Sequence, residues 1–341
     1  MTSHLPGFPD IAWENYPAAG RSFGTFLGGL WATACGALGV PHSPAAQSVQ
    51  MVSSLLPAWS SEKIGITPPQ QSYVSDDGFP AEISVNWSGP RPELRLLFDS
   101  LGEQWVFPDE PAGSVADLFP TAPVWHAIAW RPPVRVVLKT YYGLYALPKP
   151  DRRAAVGAAM TRLGLDAAWA DAHRRVEVPG GEREIEFFAV DLVGRAEARA
   201  KVYYRNHDAD LAEVCRVAAV ASKHDVSEAT TAYRMLAGPS TKAGRAALTC
   251  LAFRSGAATA IESTTYLRMP TLTASDQEAV DRTSALLSHH GVDPGRFRAL
   301  TEAFAPVPLA HSTGLLELVS FRAAGRPADI TTYFRFPVYP R

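Results

Sequence analysis

The sequence predicts an α+β fold: a ten-stranded antiparallel barrel with a polar lumen, ringed by helices in repeated ααββ units. Three observations point to it. Period-2 stretches come in pairs about short turns, helical patterns fill the gaps between pairs, and the strands carry one apolar and one charged face.

The first strand pair is Ala81–Trp87 with Glu93–Phe98, across Gly89-Pro90-Arg91-Pro92. The second is Val124–Trp130 with Val134–Tyr141, across Arg131-Pro132-Pro133. The third is Glu184–Leu192 with Ala198–Tyr204, turning at Gly194. The fourth is Leu248–Phe253 with Ala258–Leu267, across Ser255-Gly256. The fifth is Leu315–Phe321 with Ile330–Phe336, across Ala324-Gly325-Arg326-Pro327.

Helices are expected over 22–38, 44–57, 151–163 and 165–175, and from Asp225 to about Ala237. Ser275-Asp276-Gln277-Glu278 is a capping-box sequence, followed by Ala279, Val280, Thr283, Leu286 and Leu287 on one face. Asp293-Pro294 opens a further helix with proline in its first turn. The gap at 99–120 is broken by Pro108, Pro111 and Pro120 and reads only weakly. The whole chain, 1–341, reads as one domain, with residues 1–74 as N-terminal helices packed on the barrel.

Alternation assigns the faces. Ile83, Val85 and Trp87 oppose Glu82, Ser84 and Asn86; Ala198, Ala200 and Val202 oppose Arg199, Lys201 and Tyr203; Ile330, Thr332 and Phe334 oppose Thr331, Tyr333 and Arg335. Helices cover apolar surface, so the charged face lines the lumen if the sheet closes. An open sheet with a solvated polar face is the alternative.

Composition sets the limits. With 341 residues, 47% apolar and 19% charged, the chain can bury a large core. A net charge of −2 argues against a basic nucleic-acid surface and against a disordered acidic chain. Cys35, Cys215 and Cys250 lie far apart, with no CxxC pair, which suits a reducing cytosol and predicts a cytoplasmic protein. Phe23–Val40 has 18 residues without a charge, but five glycines dilute it, so a buried helix is expected rather than a membrane span.

The polar faces carry a constellation. The second strand of successive hairpins supplies Arg95, then Lys139 and Tyr141, then Arg199, Lys201 and Tyr203, then Thr264 and Tyr266, then Tyr333. Two of only six lysines thus sit mid-strand, each two residues before a tyrosine. Converging Arg95, Lys139, Arg199 and Lys201 suit an oxyanion richer than one carboxylate, such as a diphosphate. A ring of tyrosine faces beside them would shield a cation, each contributing about 2 kcal/mol or more when desolvated. Glu82 on the first lumen strand could accept a hydrogen bond from an indole N–H, or pair with an arginine.

These residues resemble the dimethylallyltryptophan synthase-type aromatic prenyltransferases. The resemblance rests on the run Ser75–Trp87, on Arg95, Leu138-Lys139-Thr140-Tyr141 and Arg199-Ala200-Lys201-Val202-Tyr203. It continues through Thr264-Thr265-Tyr266 and Ile330-Thr331-Thr332-Tyr333, in order over about residues 75 to 336. It implies the prenyltransferase barrel and metal-independent Friedel–Crafts transfer of a dimethylallyl group from its diphosphate. The acceptor implied is indole-type: tryptophan or a tryptophan-containing cyclic dipeptide. It also implies that Glu82 binds the indole nitrogen, that Arg95, Lys139, Arg199 and Lys201 hold the diphosphate, and that Tyr141, Tyr203, Tyr266 and Tyr333 shield the cation. His126 falls near the family's proposed proton-accepting lysine and is the expected general base, with a core histidine as its alternative reading. The sequence departs from the pattern at Thr264, where the family often has glutamine, and at Leu318, where it has tyrosine.

No resident cofactor or metal is expected. Asp76-Asp77 lacks the second acidic pair of metal-dependent prenyl synthases, and His289-His290 reads as a solvated helix end. The expected partners are small molecules, a prenyl diphosphate and an aromatic acceptor. A tricyclic or phenolic acceptor, and a non-catalytic barrel binding an anionic ligand, are the alternatives.

Overall fold

Ten strands close on themselves in the order β10-β11-β12-β3-β4-β5-β6-β7-β8-β9, every neighbour antiparallel. They are β3 (Ala81–Asn86), β4 (Glu93–Asp99), β5 (Val124–Arg131), β6 (Arg135–Gly143), β7 (Arg183–Leu192), β8 (Ala200–Asn206), β9 (Leu248–Phe253), β10 (Glu262–Arg268), β11 (Leu316–Arg322) and β12 (Asp329–Phe334). The pairing of β12 with β3 shuts the ring, so the barrel sheet has no open edge. The computed structural model describes residues 4–5, 8–89, 91–103, 115–132, 135–177, 183–192, 199–243, 247–324 and 329–339. Pro90, Pro108, Pro111, Pro133, Val134, Gly194, Ala198 and the turn at 325–327 lie outside the described residues.

All five expected hairpins are present, and helices join them: α1 (Phe23–Ala37) and α2 (His42–Ser54), α3 (Lys149–Arg162) and α4 (Asp166–Val176), α5 (Leu211–Ala218) and α6 (Val226–Ala237), α7 (Asp276–His289) and α8 (Gly295–Phe304). Two elements go beyond the sequence reading. A small hairpin, β1 (His4–Leu5) with β2 (Phe8–Ala12), precedes the helices, and α5 is capped by Asp210, whose side chain accepts from the Glu213 N–H. In α8 the proline stands at the N-cap itself, and Asp293 Oδ1 accepts from Gly295 N–H. Ser275 caps α7 as expected, accepting from Glu278 N–H, while the Glu278 carboxylate reaches back to Ala274 N–H. Among the described residues between β4 and β5, a single turn of 3-10 helix is formed by Ala116–Leu118.

The face assignment holds. Ile83, Val85, Leu94, Leu96 and Phe98 are buried in one core with Phe26, Leu27 and Trp31 of α1 and Leu300 of α8. Phe188, Val202 and Leu251 join a second core with Val156 and Met160 of α3 and Trp169 of α4. Each large apolar side chain so buried contributes about 1.5–3 kcal/mol, which turns this face, and not the charged one, toward the helices. The uncharged stretch at 23–40 forms α1, packed on α2 and α8. No helix among the described residues is long and apolar enough to cross a membrane.

Candidate active site

Because every hairpin turn lies at one end of the barrel, the helical connections all enter at the other. The lumen has two chambers, with cavity volumes of about 230 Å³ at the helix end and 440 Å³ at the hairpin end. Arg95, Lys139, Lys201, Tyr266 and Tyr333 line both and form the layer between them. That is room for two ligands meeting at one layer.

The lysines and tyrosines share this lumen because each Lys-x-Tyr alternates with outward apolar residues on β6 and β8. Tyr141, Tyr203, Tyr266 and Tyr333 form a continuous arc, with successive ring centroids 6.1, 5.9 and 5.7 Å apart. Their hydroxyls are kept neutral: burial raises all four pKa values. Small residues stand between them. Ala127 faces Lys139, Ala189 and Ala252 face Lys201, Cys250 faces Tyr203 and Ser84 faces Tyr333. At these positions a first strand leaves space beside a cation or ring of a second strand, while Glu82 on β3 and Asp191 on β7 add charge.

The cations come with carboxylates that sequence reasoning did not select. Arg95 Nε bonds Glu93 at 2.8 Å; Arg199 contacts Asp191 at 2.7 Å and Glu262 at 3.2 Å; Lys201 donates to Asp191 at 2.5 Å. Lys139 differs. It is buried, and no carboxylate lies within ion-pair distance of its ammonium among the described residues. Burial, then Arg95 and Lys201, hold its pKa well below the usual lysine range, with Asp191 and Glu93 opposing the shift. A buried ammonium flanked by two more cations is a seat for an anion.

Glu82 lines the helix-end chamber and makes no ion pair with an arginine among the described residues. Its pKa stands well above the usual glutamate value, through burial first and the nearby Glu317 second. His126 is a correction. It lies on the opposite face of β5 from the lumen residues Trp125 and Ala127, its ring 5.8 Å from that of Phe98 in the helix-covered layer. It does not reach the lumen and is a core histidine, not the general base. Thr264 and Leu318, the two departures, both line the lumen. Asp76 pairs with Arg268, and Asp77 accepts from Ser75 Oγ and from the Phe79 and Tyr339 N–H groups.

The helix-end chamber has features the sequence reading missed. Register breaks at Glu186 in β7 and Glu317 in β11 turn both glutamates toward it, where they meet Arg205 and Arg268, each at 2.5 Å. A bulge defeats period-2 counting, so neither acid falls on the face that alternation assigns. Trp125, Phe187 and Tyr73 line the same chamber; Trp125 and Phe187 stand 4.8 Å apart, and Tyr73 lies 4.8 Å from Tyr145.

This barrel is similar in structure to a 6-dimethylallyltryptophan synthase from Micromonospora olivasterospora in complex with DMASPP and Trp. The TM-score is 0.84 at 26% identity, over 94% of this chain and 99% of that one. The fold is the prenyltransferase barrel. The similarity extends to a 5-dimethylallyltryptophan synthase from Streptomyces coelicolor with DMASPP and Trp, at TM-score 0.81 and 23% identity over 93% of this chain and 95% of that one. It extends also to the prenyltransferase PriB in its ternary complex with L-tryptophan and dimethylallyl thiolodiphosphate, at 0.81 and 25%, over 94% and 98%. No protein-family model and no curated protein sequence matches the chain. In the prenyltransferase barrel described here, Arg95, Lys139, Lys201, Tyr266 and Tyr333 meet in one layer, with Glu82, Tyr141 and Tyr203 lining the helix-end chamber and Arg199 the hairpin-end chamber.

Proposed function

We propose that the chain is an aromatic prenyltransferase, moving a dimethylallyl group from dimethylallyl diphosphate to an indole-type acceptor, tryptophan or a tryptophan-containing cyclic dipeptide. The carrying observation is Lys139, a buried ammonium with no carboxylate at ion-pair distance, between Arg95 and Lys201 and beneath an arc of tyrosines. The tryptophan synthases of like structure, bound to DMASPP and Trp, support the same reading.

Arg95, Lys139, Arg199 and Lys201 hold the diphosphate and stabilise the charge that grows on it as the allylic C–O bond breaks. The bonding electrons leave with the diphosphate. The allylic cation stays under Tyr141, Tyr203, Tyr266 and Tyr333, away from water. Glu82, as a carboxylate, accepts the indole N–H and turns the ring toward the cation. The ring carbon forms the new C–C bond and then gives its proton to the released diphosphate, which restores the aromatic ring. Four basic side chains supply the neutralisation that a metal provides elsewhere, so catalysis needs no metal. Three unpaired cysteines suit a reducing cytosol.

The test is an assay in EDTA with dimethylallyl diphosphate and tryptophan, tryptophan cyclic dipeptides, carbazoles and phenols, read as a mass gain of one prenyl unit. A prenylated product with an indole is expected, and Lys201→Ala should abolish it in a folded protein. Failure of every acceptor, together with no binding of the diphosphate, would sink the reading.

A further inference from the structure

The chain from Ser72 to Asp76 forms a strap along the helix-end chamber. Tyr73, Val74, Ser75 and Asp76 all line it, and Tyr73 is 57% exposed, which places the strap at the mouth. One end of the strap is tied through Asp76 to Arg268, and the other to Asp99, the last residue of β4. Asp99 is buried, and its carboxylate holds two elements at once. Its Oδ2 accepts from Ser72 Oγ at 2.7 Å and from the indole Nε1 of Trp125 at 3.1 Å. Its Oδ1 accepts from Leu101 N–H at 2.9 Å, and Tyr73 N–H bonds to the same carboxyl group. Burial raises the pKa of Asp99, and these four donors oppose the rise. The backbone is held as well: the Asp99 carbonyl accepts from Trp59 Nε1 at 2.9 Å, and Leu101 takes a left-handed conformation, φ +50°, that brings its N–H onto the carboxylate.

The two donors to Oδ2 belong to the strap and to the aromatic wall of the mouth. Trp125 stands 4.8 Å from Phe187, Phe187 6.0 Å from Tyr145, and Tyr145 4.8 Å from Tyr73. The rings run from wall to strap in one packed series, and a single carboxylate fixes both of its ends. An aromatic acceptor held on Glu82 in this chamber meets those faces in a constant geometry only while both ends stay fixed. Asp99 itself does not line the chamber and touches neither the cations nor the tyrosine arc.

We propose that Asp99 is a positioning residue for the acceptor: it fixes the strap at Ser72 and Tyr73 against the wall at Trp125, and so sets the width in which a flat aromatic ring is held for attack. This rests on the prenyl-transfer reading above and adds to it a residue that never meets substrate. An amide in its place has one acceptor oxygen instead of two. Its NH2 group must face either Ser72 and Trp125 or Leu101, and the tie opens.

The experiment measures Asp99→Asn, Ser72→Ala and Trp125→Phe, singly and combined, with tryptophan. In Asp99→Asn the KM and the calorimetric Kd for tryptophan should both rise about tenfold. Affinity for a dimethylallyl thiolodiphosphate should be retained, which also shows that the variant is folded. Ser72→Ala and Trp125→Phe should each weaken tryptophan in the parent and add little in the Asp99→Asn background, because both act through Oδ2. Additive losses, or an unchanged tryptophan Kd in Asp99→Asn, overturn the proposal. Equal losses of tryptophan and thiolodiphosphate overturn it too, since they mark a merely structural residue. Hydrogen exchange of the peptide spanning residues 70–76 reads the tie with no substrate present. It should quicken about tenfold in Asp99→Asn while the strands keep their protection, and unchanged exchange overturns the tie. Ser72→Ala gives the same exchange test should the Asp99 variant fail to fold. A wild-type protein that binds no indole defeats the prenyl-transfer reading, and the exchange result still decides whether Asp99 holds the strap.

Discussion

The Asp191 carboxylate accepts the Lys201 ammonium at 2.5 Å inside the lumen, within the layer that would receive the diphosphate. Burial opposes the charge on Asp191, but Lys201, Lys139 and Arg199 outweigh it and hold its pKa below the ordinary carboxylate range. In return Asp191 offsets part of the fall that burial imposes on Lys201. The chamber therefore carries a resident anion that favours the charged form of both lysines against the burial that lowers their pKa values.

Asp191→Asn keeps the shape and removes that charge. Lys201 should then lose its proton at lower pH, because the group raising its pKa is gone. The alkaline limb of kcat/KM for the prenyl diphosphate should move to lower pH. A pH profile of both proteins checks this, and an unmoved limb would show that Asp191 does not hold the charge on Lys201.

Glu82 should impose an acid limb. Burial and Glu317 raise its pKa, so it stays protonated at pH values where an ordinary glutamate is ionised. The carboxylate accepts the indole N–H more strongly than the protonated acid does, so kcat/KM for indoles should rise with pH through a value above the usual glutamate range. Glu82→Gln should erase that limb and cost about tenfold or more on indoles. N-methylated and phenolic acceptors, which offer no such N–H, should lose less; equal losses would make Glu82 structural.

Tyr203 sits mid-arc, 6.1 Å from Tyr141 and 5.9 Å from Tyr266. Tyr203→Leu removes one aromatic face, worth about 2 kcal/mol or roughly 30-fold in rate. The cation should also meet water more often. Product analysis should show more dimethylallyl alcohol per prenylated acceptor, whereas Tyr203→Phe should stay near the parent ratio.

Asp276 is a stability prediction. Its buried carboxylate accepts from Ser312 Oγ and from the Gly314, Leu315 and Leu316 N–H groups, tying the start of α7 to the approach to β11. Asp276→Ala strands these donors and should cost about 3 kcal/mol, seen as a lower denaturant midpoint.

The barrel was legible because its signal is repetitive. Ile83 against Glu82, or Val202 against Lys201, states a face, and five hairpins state it five times. The cations and tyrosines followed from the same alternation. His126 did not, since alignment by spacing ignored that its neighbours Trp125 and Ala127 occupy the lumen face of β5. Glu186 and Glu317 escaped because bulges break the period. Asp191 escaped for another reason: it shares its face with Phe187 and Ala189, so one acid on a largely apolar strand face drew no notice until Lys201 lay opposite.

The small lumen residues on the first strands have an evolutionary consequence. Ser84, Ala127, Ala189, Cys250 and Ala252 determine how much space is left, while their partners on the second strands carry charge and rings. Replacing an alanine by valine or leucine re-tailors the chamber without disturbing a single reacting group. Descendants of one ancestor can therefore exchange acceptors by drift at silent-looking positions, keeping the same chemistry while their substrates diverge.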